Sequence, residues 1–144
     1  MSASKQANAF CREVLASGEV FMIEHERDGV MTFHLAGDQH ARPAWSSRNR
    51  VIRMLEGPLA GSGRVVTRLS WHDFVSSILR DAATEGVLIG LNWSGPRARG
   101  YNLHPSDVLS RVEAQRRDPN RDACETTPSP ELEQGGPPDQ RLAG

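Results

Sequence analysis

Five histidines, two cysteines and a scatter of carboxylates are the residues of this chain that could do chemistry, and their spacing decides what kind. A helical metal site needs histidines four apart, and a thiolate site usually needs Cys-x-x-Cys. His25, His34, His40, His72 and His104 form no helical i, i+4 pair, and Cys11 and Cys124 stand alone. Around Arg27-Asp28-Gly29, a turn centred on Asp28 sets Glu26 opposite Val30 and His25 opposite Met31. His34 then faces Met22 rather than His25. A reactive thiol needs a base and an electropositive setting, whereas Cys11 lies between Phe10 and Val14 on an apolar helical face and reads as a core thiol. No G-x-S-x-G elbow is present. Asp81 and Glu85, four apart, repel slightly and read as a solvated face. Gly61-Ser62-Gly63-Arg64 precedes a strand, whereas a dinucleotide loop follows a strand and opens a helix. No catalytic residue, metal site or cofactor is therefore assigned.

Two stretches remain that could bind something. In the first, Arg42, Arg48, Arg50, Arg53, Arg64 and Arg68 are interrupted by the single acid Glu56. Ser46-Ser47-Arg48 opens a predicted helix there, and the free N–H groups and dipole of that end favour an anion. The second is Trp93-Ser94-Gly95-Pro96-Arg97-Ala98-Arg99-Gly100-Tyr101, a loop expected at the end of a central strand. Arginines among aromatics can stack on a base or hold an acidic partner. The candidate binding residues are Trp93, Arg97, Arg99, Tyr101, Trp45 and Arg48.

Composition bounds these options. Sixteen of the seventeen basic residues are arginine, with Lys5 the exception. The bias covers every segment, as a GC-rich coding sequence would produce, and so marks no patch. From Asp118 onward six acids face two arginines, a net of −4, while residues 1–117 carry twelve acids against fifteen bases, a net of +3. That excess is too small to indicate nucleic acid by itself. Arg12 and Glu13 interrupt the longest apolar run near the start, no stretch approaches the roughly 18 apolar residues of a spanning helix, and two unrelated cysteines make no disulfide framework. We expect a soluble cytoplasmic protein that avoids membranes.

The positioning elements follow from periodicity. Ala7, Phe10, Cys11, Val14 and Leu15 line one face of a helix over 4–17, with Gly18 at its end. Val20 to Glu26 and Val30 to Leu35 form a hairpin. Ala36 to Pro43 is expected as a polar loop, Ala44-Trp45 as a short strand, and 47–56 as a helix capped by Ser46 and buried through Val51, Ile52 and Leu55. A strand over 64–69 leads to Ser70, whose hydroxyl should cap a helix presenting Trp71, Phe74, Val75, Ile78, Leu79 and Ala82, ended by Gly86. Val87 to Leu91 is an apolar central strand, in which Gly90 signals a close approach. Tyr101-Asn102-Leu103 is a short edge strand, and Pro105 opens a last helix. The order α-ββ(β)-α-β-α-β(β)-α predicts an α+β fold: one small domain over 1–117, a mostly antiparallel sheet and about four helices packed on it. The Pro/Gly-rich acidic segment 118–144 has too few large aliphatics to offset its ordering entropy and is expected to be disordered. The predicted core is Phe10, Val14, Phe21, Ile23, Phe33, Trp45, Ile52, Leu55, Val66, Phe74, Ile78, Leu79, Leu88, Ile89 and Leu91.

Four of these segments together resemble the domain-of-unknown-function family 2750, a group of small bacterial proteins. They are the strand into Trp45-Ser46-Ser47-Arg48, the helix from Trp71 to Ala82, Glu85 to Trp93, and Tyr101-Asn102-Leu103-His104-Pro105-Ser106-Asp107-Val108-Leu109. The resemblance covers roughly residues 5–113 and omits the acidic segment. It implies a compact α+β domain and supplies no activity or catalytic residues to carry over.

The functional expectation is a non-enzymatic interaction module that serves a protein partner, for example as a neutraliser or regulator. Tryptophan, tyrosine and arginine are the residues that most often anchor interfaces. We rank second a binder of nucleic acid or another anion through the arginines, and third an enzyme whose site the motifs do not reveal.

Overall fold

The computed structural model describes residues 3–118. The segment expected to be disordered lies outside them, apart from Asp118. The elements in chain order are α1 (Ala3–Ser17), β1 (Glu19–His25), β2 (Gly29–Val30), β3 (Phe33–His34), β4 (His40–Ala44), α2 (Arg48–Leu55), β5 (Arg64–Ser70), α3 (Trp71–Asp73), a π-helical segment (Phe74–Leu79), α4 (Arg80–Glu85), β6 (Leu88–Ser94), β7 (Arg99–Leu103) and α5 (Pro105–Arg117). The class is α+β, as expected.

The strands form two sheets. β2-β1-β5 is antiparallel throughout, and β3-β4-β6-β7 is antiparallel except for the parallel pair β4 and β6. One antiparallel bridge joins them: Phe21 and Trp45 exchange two backbone hydrogen bonds of 2.8 Å. The stretch from Gly29 to His34 runs beside β1 as β2, leaves it, and rejoins the other sheet beside β4 as β3.

That change of partner corrects the expected hairpin. β1 and β2 do pair, but with Glu24 opposite Val30 and His25 opposite Gly29, two residues off the predicted register. Gly29 sits at φ 79° and closes a three-residue loop, a position that suits glycine because a Cβ is disfavoured there. His34 therefore never faces Met22. It pairs with His40 of β4, and the two rings lie 5.0 Å apart. β4 in turn occupies much of the expected polar loop, because its backbone groups find partners on both edges.

The helices begin and end largely where local chemistry places them. Ser70 caps α3 by accepting from the Asp73 N–H at 3.0 Å, and Gly86 ends α4 at φ 72°. The helix widens into a π segment after Asp73. Ser77 Oγ donates to the Asp73 carbonyl at 2.7 Å, the acceptor that the Ser77 N–H would use in a regular α-helix. Helix α2 is capped by Ser47, not Ser46 as expected, and it buries Val51 and Met54 rather than Ile52 and Leu55.

The connected sheets separate two apolar layers. On one face, α1, the helix from Trp71 to Glu85 and α5 pack Phe10, Val14, Phe74, Leu79 and Val112 against Val20, Met22, Ala44, Ile89 and Leu91. On the other, α2 packs Val51 and Met54 against Phe21, Ile23, Ala41 and Trp45, together with Leu59 and Trp93. The run from Val20 to Ile23 in β1 is thus continuously apolar because alternate side chains serve opposite layers. Of the predicted core, Phe33, Ile52, Leu55, Val66 and Leu88 are only half-buried, because the α2 face has fewer covering elements, and Ile78 is half-buried at the margin of the other layer.

Candidate binding cleft

Helix α2 is the only helix on its side of the sheets among the described residues, and beside it the second face stays open. A cleft of about 430 Å³ lies there between β3 and the β6–β7 turn. Its apolar lining is Phe33, Leu35, Leu59 and Trp93, and its polar rim is His34, Arg97, Arg99 and Asn102.

Trp93 reaches this face only through an irregularity. Ile89 and Leu91 point to the α1 side, so strict alternation would send Trp93 there too. Between Leu91 and Ser94 the β6–β7 register shifts, and Asn92 takes φ 52°. The extra residue turns Trp93 to the cleft side, as β-bulges commonly re-aim side chains. The indole then lies over Gly90: a Cβ there would fall 2.2 Å from Nε1 and 2.5 Å from Cε2. A Cβ on Gly100 would fall 2.6 Å from Cδ1. The ring N–H donates to Asn102 Oδ1 at 2.8 Å, and Phe33 tilts against the ring with centroids 5.8 Å apart. The predicted close approach at Gly90 is thus made by Trp93 itself.

A buried polar network holds the bulge. Asn92 Oδ1 accepts from the Ser46 N–H at 2.9 Å, and Asn92 Nδ2 donates to Ser46 Oγ at 2.9 Å. Gln6 Nε2 donates to the Asn92 carbonyl at 3.0 Å and the Arg99 carbonyl at 3.1 Å, and also contacts Ser94 Oγ. Trp45 Nε1 donates to the Trp93 carbonyl at 2.8 Å. Two segments, α1 and the link between β4 and α2, therefore converge on one αL residue, and asparagine is among the few residue types that adopt that conformation readily.

The network continues to Glu13, which accepts from Ser46 Oγ at 2.6 Å and from Arg50 through Nε at 3.0 Å and Nη2 at 2.7 Å. The Arg50 hydrogen bond holds the Glu13 carboxyl below its ordinary range, against the opposing effect of burial and with help from Ser46. The same contact raises Arg50. The anion that meets Ser46 beside the start of α2 is the protein's own Glu13, held by the Ser46 and Arg50 side chains.

The predicted site residues separate. Trp93, Arg97 and Arg99 share the cleft. Tyr101 faces the other layer, where Arg111 lies 4.9 Å from its ring centroid, while its neighbours Gly100 and Asn102 line the cleft. Trp45 is 0 % exposed at the bridge between the sheets, so it cannot form part of a contact surface. Arg48 is exposed at the first turn of α2 and does not line the cleft. The wider arginine group disperses: Arg42 pairs with Glu85, Arg68 with Glu19, and Arg64 donates to the Leu59 carbonyl while lying 5.7 Å from the Phe33 centroid. Arg97 and Arg99 are exposed and have no carboxylate within salt-bridge distance among the described residues. Sequence reasoning missed Phe33, Leu35 and Leu59 as cleft walls, and Asn92 and Gln6 as supports. Asn92, a turn-former inside an apolar strand, is the one signal that could have pointed to the bulge.

Among the described residues no three of His, Cys, Asp and Glu gather as metal ligands, and no helix is long and apolar enough to cross a membrane. Fold and site define a small α+β domain with an apolar, arginine-rimmed cleft on one sheet face. The chain belongs to the family described as Protein of unknown function (DUF2750), whose profile matches residues 7–112. The match spans the whole cleft and all of its supports except Gln6. No curated protein matches the chain.

Proposed function

We propose that this protein is a small, non-enzymatic cytoplasmic binding module whose cleft takes an extended segment of a protein partner. That segment presents one apolar side chain flanked by carboxylates. The observation that carries this is the pairing of a rigid tryptophan floor with Arg97 and Arg99, two exposed guanidiniums with no carboxylate within salt-bridge distance among the described residues. Buried tryptophan and arginine are frequent interface anchors, and a rim of one charge sets orientation and excludes wrong partners. A nucleic-acid reading ranks lower because Arg42, Arg50 and Arg68 are paired with the chain's own acids on other elements.

The test is fluorescence anisotropy with a labelled acidic nonapeptide carrying one central leucine. Each rim pair contributes about 0.5–1 kcal/mol in an exposed setting. The Arg97→Ala/Arg99→Ala double variant should therefore bind about 5–30-fold more weakly, with an unchanged melting temperature. A control peptide with lysine for glutamate should not bind. Equal affinity of the double variant and wild type would overturn the proposal. So would preference for single-stranded DNA over the peptide with a steep salt slope.

A further inference from the structure

The cleft's rim has a defined spacing. Arg97 and Arg99 flank Ala98, which packs against the second apolar layer and holds φ 50°, a conformation non-glycine residues seldom adopt. Two guanidiniums thus stand one residue to either side of an apolar centre, and the ten residues that line the cleft include no acid. A complementary ligand carries the inverse pattern, with acids one residue to either side of an apolar side chain.

The chain contains that pattern. Beyond α5, the two large aliphatics are Leu132 and Leu142. Leu142 follows Arg141, whose charge would meet the arginine rim unfavourably. Leu132 stands between Glu131 and Glu133, within a stretch of net charge −4 attached to a body of net +3. Leu132 lies fourteen residues beyond Asp118, a reach of up to about 46 Å. The way from Asp118 toward the cleft passes α1. Arg116 of α5 and Arg12 of α1 line a common surface hollow, and Gln6, less than two turns back along α1, bonds to the Arg99 carbonyl behind the cleft.

We infer that Glu131-Leu132-Glu133 docks in the cleft of its own chain, with Leu132 over Trp93 and the glutamates on Arg97 and Arg99, so that a partner must displace it. This rests on the cleft being a binding site for acidic-apolar segments, as proposed above. A tethered segment competes at an effective concentration of about a millimolar. It should therefore weaken a partner's apparent affinity by about 3–10-fold if its own affinity is a few tenths of a millimolar.

The experiment compares the full chain with a full-length Glu131→Lys/Leu132→Ser/Glu133→Lys variant. Amide and indole N–H resonances of Trp93 and Arg97 to Asn102 are read at several protein concentrations, alongside the apparent Kd of the acidic nonapeptide. The inference expects shifts confined to the cleft and independent of concentration, and a 3–10-fold tighter nonapeptide in the variant. A synthetic peptide of residues 126–138 added to the variant should return those resonances toward wild type. Shifts that grow with concentration would mean contact between copies and overturn the intramolecular docking. Unchanged resonances with equal nonapeptide affinity would overturn it while leaving the cleft's function intact. Failure of both proteins to bind the nonapeptide would overturn both proposals.

Discussion

Replacing Gly90 with alanine should damage this protein, although the same change in an ordinary strand would help it. Gly90 lacks a positive φ, so alanine suits its backbone. Without a neighbour in the way, the substitution should stabilise by about 0.5–1 kcal/mol by reducing the freedom of the unfolded chain. The neighbour is Trp93, whose ring atoms would lie 2.2, 2.5 and 2.8 Å from the new Cβ. The ring is anchored in that place, because Asn102 binds the same Nε1 and Gly100 lies against Cδ1. Overpacking costs about 1–3 kcal/mol, and the lost indole hydrogen bond adds about 1 kcal/mol. We expect Gly90→Ala to lower stability by about 2–4 kcal/mol in urea denaturation and to shift the Trp93 indole N–H resonance. In a Trp93→Ala background the sign should reverse, giving a coupling of at least about 2 kcal/mol in the double-mutant cycle. A Gly90→Ala protein within 0.5 kcal/mol of wild type, with an unmoved indole resonance, would refute the placement of Trp93 over Gly90.

Asn92→Ala should cost about 2–4 kcal/mol in the same assay, since it strands the buried Ser46 N–H and places alanine in the αL region. Asn92→Gly should recover about 1 kcal/mol of that, because only the conformational part is restored. Glu13→Gln should destabilise by about 1–2 kcal/mol at pH 7, a modest figure because the carboxylate is 39 % exposed. Glu13 has a folded pKa below its ordinary value of 4.5, so its stabilisation is complete above that value and is lost as pH falls through the folded one. Denaturation at pH 7 and pH 3 should therefore show the gap between Glu13→Gln and wild type shrinking at the lower pH. Gly86→Ala, at φ 72° with open space around it, should cost only the conformational 1–2 kcal/mol, roughly, and leave cleft binding unchanged in the anisotropy assay.

The features legible in the sequence are those that near neighbours decide. Ser70 caps a helix because the Asp73 N–H lies one turn away, Gly86 ends one because it accepts a left-handed backbone, and Pro105 opens one because it has no N–H to satisfy. Features set by distant partners were harder to read. Nothing near Trp45 says that it closes the seam between two sheets, and its composition alone suggests an interface residue. Ser46 looks like a helix cap as much as Ser47 does, until Asn92 and Glu13, far away in the chain, take up its N–H and hydroxyl.

The cleft depends on the least legible step of all. Period-two alternation assigns Trp93 to the same layer as Ile89 and Leu91. One inserted residue reverses that assignment, and with it decides whether the sheet's second face carries an aromatic floor or a gap over two glycines. The insertion is stabilised only by long-range partners: Gln6 and Ser46 hold Asn92, and Trp45 holds the Trp93 carbonyl. Gly90 and Gly100 make sense only after the reversal, since each leaves space for a ring that alternation would place elsewhere. The glycines, the left-handed asparagine and the buried Ser46 are thus parts of one device that presents Trp93 between Phe33 and the arginine-bearing turn. A change to any of them should act on the cleft through the position of that ring. For this reason the Trp93 indole resonance, rather than global stability, is the observable that would report all of them together.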